Sequence, residues 1–463
     1  MTERDQFTYK ELRTRAERCA EQLQRLPTWR PGHRVGVRLE NSADYIAAFY
    51  GTLLAKGVVV PLPVVQTETW VDHVLESTEA CGVWEKDAFC LRRWGHAPPV
   101  DVDAQLAAIF FTSGTSGDPK GVMLSHANLL ANARSIRRAL PIRTTDRALA
   151  LLPFCHAFGN SVMQTHLLNG AALIVAGSSA FPESLMNAMQ RFEVTAFYGV
   201  PDLFRVAFHG DERIRAALPE LRYAAIAGGA LPPGLAGELT ARLEPAEFYV
   251  MYGQTEATAR LSILSPSEAT GRCGSIGRGI SDVTLQVVNE SGQLAGPHRL
   301  GEIRAKGPNV MMGYWNDPAA TSQVIREGWL HTGDLAVCDD EGFIYPHGRM
   351  SQLIKIAGHR LHPREVESVI AAEFPMFDPI VVSFETIAGG SRLALFLVPL
   401  RAHAPRNPKR VHECCAQHLA RFQRPDYIAY LEHPPLTPSL KADRLALSRM
   451  AAEATQRSPS PVS

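Results

Sequence analysis

Apolar residues fall along this chain in two alternating rhythms. Over residues 7–26 they recur every three or four positions among Glu, Arg and Gln, which predicts an amphipathic helix. RVGVRLE (34–40) then reads as a strand, SADYIAAFYGTLLAKG as a helix that stops at Gly57, and VVVPL as a second strand. The rhythm resumes further on, where RALALLP, GAALIVAG, VTAFYGV, YAAIAG and EFYVMYG are short apolar runs with helical stretches between them. Alternation of this kind predicts βα units around a mainly parallel sheet. From about Leu261 the texture changes: DVTLQVVNESGQL, GEIRAKGPNVM and DLAVCDDEGFIYPHG are strands joined by Gly, Asn-Glu-Ser-Gly and Asp-Asp-Glu-Gly turns, a barrel-like antiparallel pattern. After Arg349 a new α+β unit begins, with helices at HPREVESVIAAEF and PKRVHECCAQHLARF and strands at DPIVVSFET and RLALFLVPL. The expected class is α/β. A large N-terminal domain of βα-type sheets covers residues 1–349, with 261–349 its barrel-like part. A small mobile α+β domain covers 350–450, and a disordered tail, 451–463, ends in QRSPSPVS.

A chain of 463 residues is too long for one ordinary core, in keeping with that division. The 47 Lys and Arg balance the 47 Asp and Glu, which argues against a general nucleic-acid binder but leaves room for a small polyanion held by a local field. The eight cysteines show no CxxC spacing and read as reduced thiols of a cytoplasmic protein, without a zinc site. The amino terminus is charged from its third residue and has no apolar h-region, so no signal peptide is expected. GVVVPLPVV and GAALIVAG are far shorter than the ~18 apolar residues that a membrane helix needs, so no membrane span is expected.

One stretch suggests chemistry. FFTSGTSGDPKGVMLSH (110–126) runs from a greasy strand end into a loop of Thr, Ser and Gly, then to Lys120 and what reads as a helix start. Backbone N–H groups and hydroxyls of Thr112, Ser113, Gly114, Thr115, Ser116 and Gly117 suit phosphate oxygens, and Lys120 adds a mobile charge. The P-loop pattern fails, because Pro119 stands where Gly is needed and Gly121 where Ser or Thr is needed. A phosphate loop other than the usual NTPase loop, or a plain polar turn, accounts for the run.

TSGTSGDPK (112–120) resembles the AMP-binding signature of the adenylate-forming superfamily: acyl- and aryl-CoA synthetases, luciferases and peptide-synthetase adenylation domains. MYGQTEATA (251–259), GSIGRGI (274–280), GEIRAKGPNVMMGYW (301–315), GWLHTGDLAVCDDEGFIYPHGR (328–349), IKIAGHRLHPREVE (354–367) and PLTPSLKADRLAL (435–447) resemble its further motifs, in the family's order. ENSADYIAAFYGTLLAKGVVVPL (40–62) resembles its amino-terminal motifs, so the likeness spans about residues 8–447. It implies a stand-alone ligase that joins a small carboxylic acid to ATP, releases pyrophosphate, and passes the acyl group from AMP to a thiol.

The resemblance also implies roles. Residues 112–120 would hold the β- and γ-phosphates; Glu256 and Thr115 would ligate Mg²⁺; Thr255 would touch the α-phosphate. Tyr252, Gly253, Gln254 and the AGGA stretch with Gly229 and Ala230 would shape the adenine site; Asp334 and Arg349 would reach the ribose. Lys441 would bridge the attacking carboxylate and the α-phosphate, Ser351 would be the hinge, and Ala357, Gly358 and His359 would form the thiol-transfer loop. The pattern departs at Leu440, where Gly usually precedes the lysine, at Ser351, where Asp or Lys is common, and in the short connection between residues 65 and 102.

LPFCHAFGNSVMQTHLLNGAALIV (152–175) corresponds to the acid pocket, with His156, Ala157, Asn160, Ser161 and Gly228 as candidates. Ala157 takes the place of the aspartate that pairs an amino acid's ammonium, which favours an organic acid over an amino acid, although proline or a β-amino acid stays open. The acceptor is expected to be CoA or the phosphopantetheine of a separate acyl or peptidyl carrier protein, since no carrier domain follows Lys441. Monomer and homodimer are both compatible. The other readings are an amino-acid adenylating enzyme, a luciferase-like oxygenase acting on the adenylate, and a nucleotide-binding pseudoenzyme.

Overall fold

The computed structural model describes residues 6–86, 88–91, 105–112, 119–175, 182–201, 203–204, 208, 218–229, 231, 233–269, 271–356, 359–386, 390–400, 404–435 and 442–457. Helix α1 (Tyr9–Gln24) begins where the Thr8 side chain accepts from the Glu11 backbone and Glu11 reaches back to the Thr8 N–H, a reciprocal cap. It packs on α2 (Ala43–Leu54) so closely that a Cβ at Gly51 would lie 2.5 Å from Cys19 Cβ.

The first seven-stranded sheet contains β1 (Arg34–Val37), β2 (Val58–Pro61), β3 (Gly82–Glu85), β4 (Ala88–Leu91), β5 (Leu106–Thr112) and β6 (Lys120–Ser125). Its centre, β5-β2-β1-β3, is parallel; β4 adds an antiparallel edge at one end, and β6 an antiparallel strand at the other, with the short strand Gly313–Tyr314 beyond it as the seventh. The second contains β7 (Arg147–Leu149), β8 (Ala172–Ile174), β9 (Ala196–Gly199), β10 (Tyr223–Ile226), β11 (Glu247–Tyr252), β12 (Ser262–Leu264) and β13 (Arg278–Gly279), parallel from β8 through β11 and antiparallel beyond. Strands β1, β2, β9 and β10 are buried at every residue, which explains their continuous apolar runs. Helices α3 (Glu68–Ser77), α4 (His126–Ala139) and α5 (Ala157–Asn169) join those strands.

The barrel-like region is a five-stranded antiparallel sheet of β14 (Thr284–Val288), β15 (Gly301–Lys306), β17 (Ile325–Arg326), β18 (Trp329–Cys338) and β19 (Ile344–Arg349). Between β15 and β17, the two-residue β16 (Gly313–Tyr314) leaves this sheet and pairs with β6, tying the region to the first sheet. The carboxy-terminal unit has a hairpin, β20 (Ile354–Ile356) with β21 (His359–Leu361), and a sheet of β22 (Phe377–Glu385), β23 (Ser391–Pro399) and β24 (Tyr427–Tyr430) flanked by helices Pro363–Glu373, Pro408–His418 and Arg444–Arg457. Among the described residues no helix is long and apolar enough to cross a membrane.

Two expectations need correction. The helix expected just after Lys120 starts only at His126. Lys120–Ser125 is a strand, because Val122 and Leu124 are fully buried while the chain pairs with β5, and the Ser125–Asn128 reciprocal cap sets the helix start. The tail expected to be disordered from residue 451 is helical as far as Arg457, since Leu447 and Ala451 are buried with Ile380, Phe384 and Phe396 of the last sheet; residues 458–463 lie outside the described residues.

The carboxy-terminal unit meets β19 through His362, which caps the helix Pro363–Glu373, and through Arg364, whose guanidinium donates to the Pro346 carbonyl at 3.1 Å. Gly348 has φ +108°, and a Cβ there would lie 1.8 Å from the His362 ring, so only glycine fits under the imidazole. Burial, then the charge of Arg364, pulls the His362 pKa from 6.5 to about 4. The depressed value means that the unfolded chain takes the proton first. His362's stabilising contribution is therefore present above pH 6.5 and disappears as pH falls through about 4. Unfolding by urea at stepped pH should show stability falling across that window, and His362→Asn, which keeps a capping acceptor, should flatten the slope; an unchanged slope would remove His362 from the account. Separately, Leu447→Ala should cost ~2–4 kcal/mol, read as a lower urea midpoint, because Leu447 is fully buried.

Candidate active site

Three candidate stretches leave the carboxyl ends of parallel strands: 112–120 after β5, 227–230 after β10, and 252–256 after β11. In open α/β sheets that edge is where ligands bind. Thr112 and Lys120 face each other across the mouth of the β5–β6 hairpin. The loop tip, Ser113, Gly114, Thr115, Ser116 and Gly117, lies outside the described residues, as do Ala230, Ala357, Gly358 and Lys441.

Two polar clusters lie in this region, the first at the hairpin mouth through Lys120 and the second close enough for its Arg349 to feel the charge of Glu256. In the first, the Tyr314 hydroxyl donates to Glu256 Oε1 at 2.9 Å, and Lys120 Nζ stands 5.2 Å from the centroid of the same ring. Tyr314 is placed by β16–β6 pairing, and Glu256 by the turn Thr255–Ala257, whose Glu256 carbonyl accepts from Met311 N at 2.9 Å. Burial and the adjacent Glu256 carboxylate raise the Tyr314 pKa, so the phenol keeps its proton and stays a donor.

In the second cluster, Asp334 Oδ2 accepts from the Tyr252 hydroxyl at 2.6 Å and Oδ1 from Arg349 Nε at 2.9 Å. Asp334 and Arg349 are cross-strand partners in β18 and β19, while Tyr252 ends β11. Burial, then Asp334, pushes the Tyr252 pKa well up. Burial works against the charge on Arg349, but Asp334, Tyr252 and Glu256 together outweigh it, and its pKa ends raised. Asp334 thus sits beside a neutral donor and a permanent cation. Each of its oxygens keeps a second lone pair for a further donor.

The loop between Tyr252 and Arg260 is tightly folded. A Cβ at Gly253 would lie 1.8 Å from the Ala259 carbonyl oxygen. Thr258, a β-branched residue, holds φ +67°, fixed by its hydroxyl's bond to the Asn309 carbonyl at 2.7 Å. Gln254 and Thr255 are half-buried in the same loop. Gly228, at φ +81°, and Gly229 are exposed; a Cβ on Gly229 would meet Pro201 at 3.0 Å.

The acid-pocket candidates stand at the start of α5. His156 is its exposed N-cap and Ala157 its half-buried first residue. Asn160 and Ser161 are buried, with the Asn160 amide donating to Phe154 O at 3.2 Å and its oxygen accepting from Gln164, and the Ser161 hydroxyl donating to Phe158 O at 2.7 Å, so their polar groups are engaged locally. His166 is buried against the Val162 carbonyl and Tyr223. Ser351 is exposed in the short turn Met350–Gln352 between β19 and β20, and His359 stacks on Phe422 with ring centroids 4.2 Å apart. Tyr314 and Arg260 took no role in the sequence reading. Tyr314 was visible in the GYW stretch, but its contact with Glu256 spans 58 residues of chain.

The sequence profile of the AMP-binding enzyme family matches residues 1–88 and 84–315. The chain belongs to the AMP-binding enzyme family. It is 31% identical over 385 residues to a feruloyl-CoA synthase of Amycolatopsis sp, covering 78% of this chain and 77% of that one. It is 30% identical over 372 residues to a 2-succinylbenzoate–CoA ligase of Geobacillus kaustophilus, covering 78% and 74%. The o-succinylbenzoate CoA synthetase of Bacillus subtilis, solved with its acyl-adenylate intermediate, superposes with TM-score 0.81 at 26% identity over 96% of this chain and 94% of that one. The same synthetase solved with ATP and magnesium superposes with TM-score 0.81 at 27% identity over 96% and 95%. The family assignment accounts for the large N-terminal and small carboxy-terminal parts of the α/β fold.

Gly253→Ala in this family member should open the 252–260 loop, moving Tyr252 and Glu256 apart from their partners. The expected result is at least tenfold weaker ATP binding by calorimetry with a stability loss of ~1–3 kcal/mol. Unchanged ATP affinity would show that the loop geometry does not set the site.

Proposed function

We propose that the protein activates a carboxylic acid with ATP as an acyl-adenylate, releases pyrophosphate, and transfers the acyl group to the thiol of CoA. The observation that carries this reading is the pair of polar clusters, Lys120–Tyr314–Glu256 at the β5–β6 mouth and Tyr252–Asp334–Arg349. Its support also comes from relatives that are CoA ligases and from a structural neighbour solved with an acyl-adenylate.

The difficulty in the first step is charge. A carboxylate must approach an α-phosphate, and two unit charges ~4 Å apart repel by ~4 kcal/mol at an effective dielectric of 20. Lys120 and the hairpin loop answer the charge on the two leaving phosphates, and Thr255 donates to the α-phosphate. Asp334 takes the ribose hydroxyls with its remaining lone pairs, its oxygens kept in place by Tyr252 and Arg349. Tyr252, Gly253, Gln254, Gly229 and Ala230 border the adenine. Glu256 fits a Mg²⁺ ligand: it is a hard oxygen donor, one of whose oxygens accepts a single phenol hydrogen bond, and Thr115 would complete the set. When bound, the ion supplies positive charge to the triphosphate oxygens.

Lys441 bridges the attacking carboxylate and the α-phosphate in the adenylating pose. For the second step the carboxy-terminal unit turns about Ser351 and brings the 357–359 loop to the site, so that the thiol reaches the acyl carbon and AMP leaves. His156 and Ala157 border the acid. Ala157 offers no carboxylate to an α-ammonium, which sets an organic acid ahead of an amino acid.

Pyrophosphate exchange into ATP across a panel of carboxylic acids tests the first step. At least one acid should support exchange, and Lys441→Ala should reduce it by a factor on the order of 10² or more; exchange at wild-type rate in that variant would overturn the role of Lys441. Thioester formation with CoA, compared with a phosphopantetheinylated carrier protein, identifies the acceptor. Thioester on the carrier alone would replace CoA in this account.

A further inference from the structure

Arg34 and Arg260 are the two arginines buried to 1% and 2% exposure among the described residues, and they differ in one respect. Arg34 is fully partnered, with the Thr78 carbonyl at 2.6 Å and the Glu79 carboxylate at 3.0 Å. The Arg260 guanidinium has no carboxylate among the described residues. Its Nε donates to the Met251 sulfur at 3.2 Å and its plane lies over the Phe158 ring with Cζ 3.9 Å from the centroid; the nearby Tyr198 hydroxyl is kept neutral by burial. Burial pulls its pKa down to about 9, which still leaves the group charged at neutral pH.

The backbone of Arg260 is held from several sides. The Asn132 and Asn309 amides donate to the Arg260 carbonyl at 2.8 and 2.9 Å, and the Gly253 backbone packs under its Cα. Arg260 therefore cannot relax toward solvent by shifting its backbone. Its surroundings are the acid side of the cleft. Phe158 lies in the first turn of α5, beside Ala157, and a Cβ on Gly228 would lie 3.7 Å from the Phe158 ring. Asn160 donates to the Phe154 carbonyl and accepts from the Gln164 amide, Ser161 donates to the Phe158 carbonyl, and the His166 ring meets the Val162 carbonyl and the Tyr223 hydroxyl. Among the described residues, no hydrogen bond engages the terminal nitrogens of Arg260, so the guanidinium keeps donors for a ligand. A buried cation without a counter-ion is destabilising, and a guanidinium fork matches a carboxylate with two parallel hydrogen bonds.

We infer that Arg260 determines acid specificity and that the preferred substrate is a dicarboxylic acid, one carboxylate being adenylated while the other pairs with Arg260. This rests on the acid-activating function proposed above. A monocarboxylate would leave the guanidinium unpaired, and an acid whose far end is cationic would face repulsion.

The test compares monocarboxylates with dicarboxylates of equal carbon skeleton, aliphatic and aromatic, using the full-length protein. Two readouts are taken on wild type, Arg260→Met and Arg260→Lys: kcat/KM in pyrophosphate exchange, and binding of each acid alone by calorimetry. The wild type should prefer dicarboxylates at least tenfold. Arg260→Met should lose dicarboxylates by a factor on the order of a hundred, chiefly through KM, while monocarboxylates hold or gain; Arg260→Lys should fall between. Equal use of both acid classes by the wild type, or an unchanged preference in Arg260→Met, overturns the inference. Should no acid support exchange, the ligase reading falls, yet the calorimetric preference still decides for or against Arg260. If Arg260→Met fails to fold, the wild-type preference and Arg260→Lys decide.

Discussion

The Asp334 carboxylate is the point on which the described site depends. It joins pieces of chain that are otherwise far apart: the end of β11 through Tyr252, the five-stranded sheet through its own strand, and the last strand before the carboxy-terminal unit through Arg349. Hydrogen bonds to an ionised group are stronger than neutral ones, typically ~1.5–3 kcal/mol, and burial of the flanking groups strengthens them further. Because Tyr252 keeps its proton and Arg349 its charge, neither partner can withdraw over the physiological pH range. A change in how the five-stranded sheet sits on β11 would be felt at once by the arginine that precedes the turn into the next unit.

Much of this architecture was legible from hydrophobic periodicity. Fully buried parallel strands write themselves as continuous apolar runs, and β1, β2, β9 and β10 did so. Periodicity failed where a short apolar run could be either strand or helix turn. VMLS after Lys120 is such a run, and pairing with β5, a tertiary event, decided it. The tail expectation failed for a related reason: the polar QRSPSPVS composition marks only the last residues, while Ala451, with Leu447 before it, fills a gap in the core that the last sheet forms.

The site was legible to a different degree. Motif likeness located Lys120, Tyr252, Glu256, Asp334 and Arg349, and the structure gathers them into two clusters. The partners that hold them were not legible, because they lie far off in sequence: Tyr314 for Glu256, and Asn309 for Thr258. Arg260 was overlooked for another reason. In sequence it is an arginine after the polar stretch QTEATA, which ordinarily means a surface cation; only its burial beside Phe158 and Met251 marks it.

One consequence of Tyr314 is a matter of spacing. Its ring has the Lys120 ammonium near its face and the Glu256 carboxylate at its hydroxyl, and no ion pair joins these two described side chains. Without that phenol as an insulator they could collapse onto each other and quench. With it, the cleft stores separated plus and minus poles ahead of the nucleotide's arrival, so an incoming triphosphate with its cation meets both without first having to pry them apart.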